Sequence, residues 1–147
     1  MARGQLTALR RVCLAFAEAE ERETWGEVTF RVREKIFAMH IADDGEGRPA
    51  LWCKAPPGSQ THLVEADPQR FFVPPYVGHK GWIGMWLDRR VAWREVRVVV
   101  ERSYRLTAPK RLLGRLAPIE EETPRQKSLR RGVVPYRGVA RGPDRGR

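Results

Sequence analysis

Residues that bind metals or form redox centres are scarce in this sequence of 147 residues. Its two cysteines, Cys13 and Cys53, stand far apart and outside any Cys-x-x-Cys spacing. None of the three histidines, His40, His62 and His79, has another histidine, a cysteine or a carboxylate at ligand spacing. We therefore expect no dedicated metal site, no bound zinc or iron and no cofactor. We also expect both thiols to be buried and unpaired.

Long hydrophobic runs are also missing. No apolar segment approaches the roughly 20 residues that a membrane-spanning helix needs. Near the N-terminus, Glu18, Glu20 and Glu21 come too soon to leave room for the apolar core of a signal peptide. With 41% hydrophobic and 31% charged residues, the composition is typical of a soluble globular protein. We therefore expect one cytoplasmic domain with a real core, no membrane contact and a monomeric state by default.

Catalytic motifs are absent as well. The chain has no Gly-x-Ser-x-Gly and no nucleophile with a placed base. The segment Gly78-His79-Lys80-Gly81 lacks the glycine spacing and the following Ser or Thr of a Walker loop. Two interpretations of this segment stay open: a tight loop that joins two strands, or phosphate contact by His79 and Lys80. We expect a protein that is not an enzyme.

Acidic residues almost disappear toward the C-terminus. From residue 125 onward eight basic residues face the single acid Asp144, so this part carries +7 of the net charge of +10. Pro124, Pro135 and Pro143, with four glycines, interrupt any regular pattern, and we predict a disordered tail over residues 118–147. The charge of the tail, which includes Arg130 and Arg131, favours binding to a polyanion.

The rest of the chain is organised around one stretch, residues 71–88. Two short apolar runs flank a connection that opens with two prolines, which remove ladder donors and must end a strand. The glycines on either side of the basic pair permit backbone angles that other residues avoid. From Trp82 to Leu87 the residues are aromatic and β-branched enough for a central strand. This stretch therefore predicts two strands of one sheet joined by a basic loop.

Hydrophobic periodicity assigns the remaining elements. A helix is predicted from Thr7, its N-cap, to Glu23, with the acids at its end exposed to solvent. Trp25-Gly26 is predicted to stop this helix, with Trp25 sealing the helix end against the sheet. Alternation of apolar and polar residues then predicts three strands of an antiparallel meander, at residues 28–32, 35–41 and 50–54. Turn and capping signals predict three further helices, at residues 59–64, 91–105 and 110–116.

Large aromatic side chains are assigned first to the core. We expect Tyr104, on the predicted helix 91–105, to be packed with its hydroxyl hydrogen-bonded. The same helix is predicted to turn Val96 and Val100 inward. We also expect burial of the five tryptophans, Trp25, Trp52, Trp82, Trp86 and Trp93.

Basic residues on the predicted strands define a candidate phosphate-binding edge. Arg31 and Arg33 share one face of the first strand, opposite its apolar residues. With Lys35, Lys54 and Lys80 they make a positive edge if the strands are neighbours, and a merely solvated face is the alternative. We expect Arg33, Lys54 and Lys80 to be exposed.

Several segments in a fixed order resemble the MmcQ/YjbR-like family. They are Trp25-Gly26 with Phe30, Lys35-Ile36-Phe37-Ala38, Leu51-Trp52-Cys53-Lys54, Ala66-Asp67-Pro68, Pro74-Pro75-Tyr76-Val77-Gly78, Gly81-Trp82-Ile83, Leu87-Asp88 and Ser103-Tyr104. The resemblance covers about residues 6–117. It implies an α+β domain of frataxin-like (CyaY) topology, with helices on one face of an antiparallel sheet, and the DNA-binding label that the family usually carries. The arginine-rich extension lies outside the family pattern.

The sequence therefore predicts an α+β domain over residues 1–117, followed by the basic tail 118–147. The predicted function is weakly selective or nonspecific DNA binding, with phosphate contacts from the sheet edge, the loop and the tail. The residues expected to make these contacts are Arg31, Arg33, Lys35, Lys54, His79, Lys80, Arg130 and Arg131. The alternative is a small non-catalytic interaction domain that docks a protein or an anionic ligand near Tyr76 and Trp82.

Overall fold

A computed structural model of the chain describes residues 2–88 and 90–116, with side chains from residue 4 onward. The predicted domain end at residue 117, the tail 118–147 and its residues Arg130 and Arg131 lie outside the described residues. In chain order the elements are α1 (Ala2–Leu14), β1 (Glu20–Thr24), β2 (Glu27–Val32), β3 (Lys35–Ile41), β4 (Ala50–Cys53), α2 (Ser59–Ala66), β5 (Phe71–Phe72), a 3-10 helix (Gly78–Lys80), β6 (Ile83–Trp86), α3 (Trp93–Thr107) and α4 (Lys110–Leu113).

Six strands form one antiparallel sheet in the order β1-β2-β3-β4-β6-β5. The strands β2, β3 and β4 follow one another as the alternation of apolar residues predicts. β6 lies between β4 and β5, which confirms that the stretch 71–88 forms two neighbouring strands joined by a loop. The predicted α+β class with an antiparallel sheet is therefore confirmed.

The first helix is shorter than predicted. α1 ends at Leu14, and the acidic segment predicted at its end is instead the edge strand β1, which pairs with β2 along its whole length. Glu21 accepts hydrogen bonds from Arg10 of α1, and Glu34 accepts two from Arg22. Strand pairing and these ion pairs outweigh the helical propensity of glutamate, which is only a weak local preference.

Trp25 lies far from the position predicted for it. Trp25 and Gly26 form a two-residue turn between β1 and β2, and both have positive φ, 55° and 78°. Such turns match the twist of an antiparallel pair. The Trp25 side chain is 82% exposed, so it seals no helix end. Phe16 is buried there instead and stacks on Tyr104. Thr7, the predicted N-cap, lies inside α1.

The larger of two apolar clusters lies between the sheet and the helices. α3 supplies Val96, Val100 and Tyr104, which are fully buried, as predicted. The Tyr104 hydroxyl donates a hydrogen bond of 2.6 Å to the Ala17 carbonyl, which confirms the expected bonded tyrosine. The other helices contribute Leu9, Cys13, Leu63 and Leu112. Burial of this apolar surface is the main term that holds the helices on the sheet.

A β-bulge at Phe37 determines which side chains of β3 face the helices. Ala38 pairs with Phe30 and Ile36 pairs with Arg31, so Phe37 is the extra residue between the two pairs. Phe37 and Ala38 therefore both lie in the helix-side cluster, while Ile36 packs on the opposite face. The bulge thus places two successive residues of β3 in the helix-side core.

A second apolar cluster lies on the other face of the sheet, and none of its members belongs to an α-helix of the described residues. Its buried members are Met39, Ile41, Ala50, Trp52 and Trp82. Trp52 and Trp82 are 9% and 8% exposed, which confirms the predicted burial of these two tryptophans. Trp86 and Trp93 are only half-buried. Aromatic rings therefore form much of the core on the face without helices.

Both cysteines are buried in the helix-side cluster and unpaired, as predicted. Burial raises the pKa of each thiol above its ordinary value. Within residues 2–88 and 90–116, no three His, Cys, Asp or Glu side chains come together as metal ligands. No helix in this part of the chain is long and apolar enough to cross a membrane.

Candidate nucleic-acid interface

Three lysines that are far apart in the sequence meet at one end of the sheet. We call these residues, Lys35, Lys54 and Lys80, the lysine end. Lys35 begins β3, Lys54 follows the last residue of β4, and Lys80 lies shortly before β6. These strands are antiparallel neighbours, so the start of β3, the end of β4 and the start of β6 lie at the same end of the sheet. The condition for the predicted positive edge, that the strands are neighbours, is therefore met for these three residues.

The ammonium groups of the lysine end act on one another electrostatically. Burial lowers the pKa of Lys54, and the positive charges of Lys35 and Lys80 lower it further. No carboxylate of the described residues forms an ion pair with any of the three. Lys35 and Lys80 are exposed. Lys54, predicted to be exposed, is half-buried because it lines a shallow hollow with Leu63 and Val99.

Ser103 of α3 fixes the backbone at Lys54. Its hydroxyl donates to the Phe37 carbonyl at 2.5 Å and accepts the Lys54 backbone N–H at 2.9 Å. One buried side chain thereby ties the helix both to β3 and to the end of β4. Sequence reasoning misses this role, although Ser103 belongs to the segment Ser103-Tyr104 that carries the family resemblance.

The two predicted arginines do not join the lysine end as unpaired charges. Arg33, exposed as predicted, lies in the turn after β2, and its guanidinium bonds the Glu18 carboxylate at 2.7 Å. Arg31 lies on the face without helices, where it donates to Thr24 Oγ1 at 2.8 Å and to the Glu34 carbonyl at 3.2 Å. The prediction that both arginines share one strand face is therefore wrong, because β2 ends before Arg33.

The loop that joins β5 to β6, residues 73–82, presents an exposed aromatic ring, and we call it the Tyr76 loop. The Val77 N–H donates to the Pro75 carbonyl at 2.7 Å, which closes a three-residue γ-turn around Tyr76. Tyr76 has a φ of 68°, a left-handed conformation that is rare and strained for a tyrosine. Its side chain is 86% exposed. The loop therefore holds a large aromatic residue in solvent in a strained conformation.

The Tyr76 loop is anchored by α2 and by its own packing. Gln60 Nε2 donates to the Gly78 carbonyl at 2.7 Å and to the Trp82 carbonyl at 2.6 Å. A side chain at Gly78 would not fit, because a Cβ there would lie 2.5 Å from Val73 Cγ1. No signal in the sequence identifies Gln60 as an anchor, because its bonds depend on where α2 lies against the loop.

Positive charge and an aromatic ring occur together in this loop. His79 and Lys80 are exposed in the 3-10 helix that follows Tyr76. An ammonium group is a point-charge partner for phosphate, and an exposed phenol ring is a surface on which a base can stack. Trp82, predicted beside Tyr76 in the alternative docking region, is buried, so it offers no ring to a partner.

The fold and the charge distribution define the class of protein, an α+β domain on one antiparallel sheet, with a cluster of lysines at one end of that sheet. The YjbR family model matches residues 14–106. The chain therefore belongs to the YjbR family, which confirms the resemblance found in the sequence.

Two solved structures are similar in fold. The Deinococcus radiodurans protein DR2400, with a DUF419 domain, aligns with a TM-score of 0.60 at 20% identity, covering 84% of this chain and 86% of that chain. A protein from Pseudomonas syringae aligns with a TM-score of 0.51 at 17% identity, covering 70% of this chain and 97% of that chain. At these identities the likeness shows the fold alone. No curated protein matches the chain. The frataxin-like topology stays a prediction.

Proposed function

We propose that this protein is a non-catalytic, cofactor-free DNA-binding protein of the cytoplasm, with weak or no sequence selectivity. In this proposal the lysine end contacts the phosphate backbone, and the basic residues of the tail add further phosphate contacts. The observation that carries it is the convergence of Lys35, Lys54 and Lys80 without an ion-pairing carboxylate among the described residues.

The three ammonium groups of the lysine end repel one another. Keeping three ammonium groups close together, one of them half-buried, is unfavourable unless an anion compensates their charge. A phosphate backbone supplies a row of such anions at short spacing. Ammonium–phosphate contacts carry no sequence information, so they support nonspecific rather than sequence-selective binding.

Arg31 and Arg33 have smaller roles in this proposal than the lysines. Their guanidinium groups already have partners within the domain, and contact with DNA requires them to share or exchange those bonds. His79 is exposed beside Lys80 and adds a hydrogen-bond donor. Arg130 and Arg131 retain their proposed part as two of the basic residues of the tail.

The test is a salt-dependent binding titration with the full chain. Fluorescence anisotropy with a labelled duplex measures affinity for the wild type and for a triple variant, Lys35→Gln, Lys54→Gln and Lys80→Gln. We expect the slope of log K against log salt to flatten by about 0.9 for each phosphate that the variant no longer neutralises. The matched control is an equal loss of charge at exposed positions on three helices, Arg11→Gln, Arg94→Gln and Lys110→Gln.

The outcomes separate the domain from the tail. An unchanged slope in the lysine variant would show that the lysine end does not contact DNA. An equal change in the control variant would show that the lysine end contributes no more than other exposed positive charges of the domain. If binding disappears only on neutralising the basic residues of the tail, the tail alone binds DNA. The second candidate, an interaction domain that docks a protein near Tyr76, then becomes the better proposal, because this exposed ring is its supporting observation.

A further inference from the structure

We infer that the Tyr76 loop binds single-stranded nucleic acid, with one base stacked on the Tyr76 ring and neighbouring phosphates on Lys80 and Lys54. This inference rests on the proposed function and deepens it, because it names the form of nucleic acid that the site takes. It combines the exposed ring, the strained and anchored turn, and the adjacent lysine end.

The Tyr76 ring is unusually exposed for a tyrosine. Tyrosine normally buries most of its ring and leaves only the hydroxyl in water. Tyr76 leaves nearly the whole side chain in solvent, and no ring contact of Tyr76 occurs among the described residues. Both faces of the ring are therefore open to a flat partner.

The turn holds Tyr76 in an unfavourable backbone conformation. A tyrosine with positive φ is unfavourable, and glycine or asparagine would take the same backbone at lower cost. Formation of the turn therefore does not require a tyrosine at position 76. Gln60 and the packing of Gly78 against Val73 hold the loop in place, so the ring is presented from a fixed support.

Positive charge lies next to the turn around Tyr76. The Lys80 N–H donates to the Val77 carbonyl at 3.0 Å, so the chain folds back and the lysine follows Tyr76 within one turn. Lys80 lies close enough to Lys54 for its positive charge to lower the pKa of Lys54. In the proposed complex, the phosphates that flank a base stacked on the ring contact these two ammonium groups.

Single strands fit this arrangement better than a duplex does. In a duplex each base is stacked between its neighbours and cannot lie on an external ring, whereas an unpaired base presents its face. The tryptophans of the helix-free face do not substitute for Tyr76. Trp52 and Trp82 are buried, and the half-buried Trp86 ring already packs on the Phe72 ring and on the Arg48 guanidinium. Stacking is tolerant of base identity, which agrees with weak sequence selectivity.

The experiment compares labelled oligothymidylate, oligouridylate and a duplex, each of about 20 nucleotides per strand, by anisotropy at one salt concentration. The full chain is compared as wild type, Tyr76→Ala, Tyr76→Phe and Tyr76→Gly. The control is Trp25→Ala, since Trp25 is equally exposed, also has positive φ, and lies at the opposite end of the sheet.

We expect Tyr76→Ala and Tyr76→Gly to weaken single-strand binding at least about fivefold and duplex binding less than about twofold. Tyr76→Phe and Trp25→Ala should retain wild-type affinity. Tyr76-dependent affinity for either single strand supports the inference, and the tighter of the two identifies the source. Retained single-strand affinity in Tyr76→Gly would overturn it, since the turn alone would then suffice.

The same experiment distinguishes the two proposals. If the wild type binds the duplex through the lysine end and Tyr76→Ala weakens no ligand, or weakens duplex and single strands equally, the inference about single strands is wrong and the proposed function stands. If the wild type binds none of the three ligands at low salt, both proposals are wrong.

Discussion

His40 is a buried titratable residue with an unsatisfied ring nitrogen. It lies on β3 and is almost fully buried, and its Nε2 has no hydrogen-bond partner among the described residues. Burial lowers the pKa of His40, and the positive charge of Arg10 lowers it further. The ring therefore stays neutral in the folded chain at pH values where an unfolded histidine takes up a proton.

This pKa difference predicts acid sensitivity below about pH 6.5. The unfolded chain then binds a proton that the folded chain excludes, so the free energy of unfolding falls as the pH drops from about 6.5 toward the folded pKa of His40. We expect His40→Leu to lose less stability than the wild type between about pH 7 and pH 5, measured by urea unfolding. Met39→Leu, a change at a neighbouring buried residue that carries no titratable group, should leave the wild-type pH dependence intact. Equal losses in His40→Leu and the wild type would contradict this account.

Gly84 shows how closely two elements approach each other. It lies in β6 opposite Phe72 of β5, and a Cβ at Gly84 would lie 2.4 Å from two atoms of the Phe72 ring. The Phe72 ring cannot move away without separating from the Trp86 ring, whose centroid lies 4.5 Å from its own. The pairing of β5 with β6, and hence the entry to the Tyr76 loop, depends on the missing side chain.

We therefore expect Gly84→Ala to lower the free energy of unfolding by about 1–3 kcal/mol, the usual cost of overpacking a filled site. Gly4→Ala is the matched control, because nothing lies within 4 Å of a Cβ there. In a helix interior this control should be neutral or stabilising. Equal urea midpoints for wild type and Gly84→Ala would show that the ring relaxes without cost.

At the scale of the whole molecule, the charge is divided between the domain and the tail. Removing the residues after Ala117 should leave the thermal midpoint unchanged, because residues 4–88 and 90–116 already contain two apolar clusters and a six-stranded sheet. The same truncation should lower the salt slope for DNA by several units, because it removes eight basic side chains.

A full-length variant with these eight basic residues replaced by glutamine separates the effect of the tail's charge from the effect of its length. It should show the same reduced slope as the truncated chain and the same midpoint. Cooperative melting of the truncated chain at a much lower temperature would show that the tail belongs to the folded domain.

The candidate site was predictable only in part. The sequence predicts Lys35, Lys54 and Lys80, together with Arg31 and Arg33, as one positive edge on the condition that their strands are neighbours. The structure meets this condition for the three lysines. The ion pair of Arg33 with Glu18 was not predictable, because it depends on the path of the chain between α1 and β1. Gln60 and Ser103 carry no periodicity or motif, since a polar side chain acquires its hydrogen bonds only when distant segments meet.

The sequence by itself determined the α+β class, the strands β2 to β4, the two strands around the Tyr76 loop and the inward face of α3. The class is what the family resemblance implies. The strands and the inward face of α3 follow from local alternation, helical spacing or turn chemistry, which act within a few residues. Tertiary structure alone decided that the acidic segment after α1 is an edge strand and that Trp25 is exposed. It also decided that Arg33 pairs with a carboxylate, whereas the lysine end pairs with none of the described residues. Those outcomes depend on pairing, burial and charge between segments distant in sequence, which local preferences of a few tenths of a kcal/mol cannot determine.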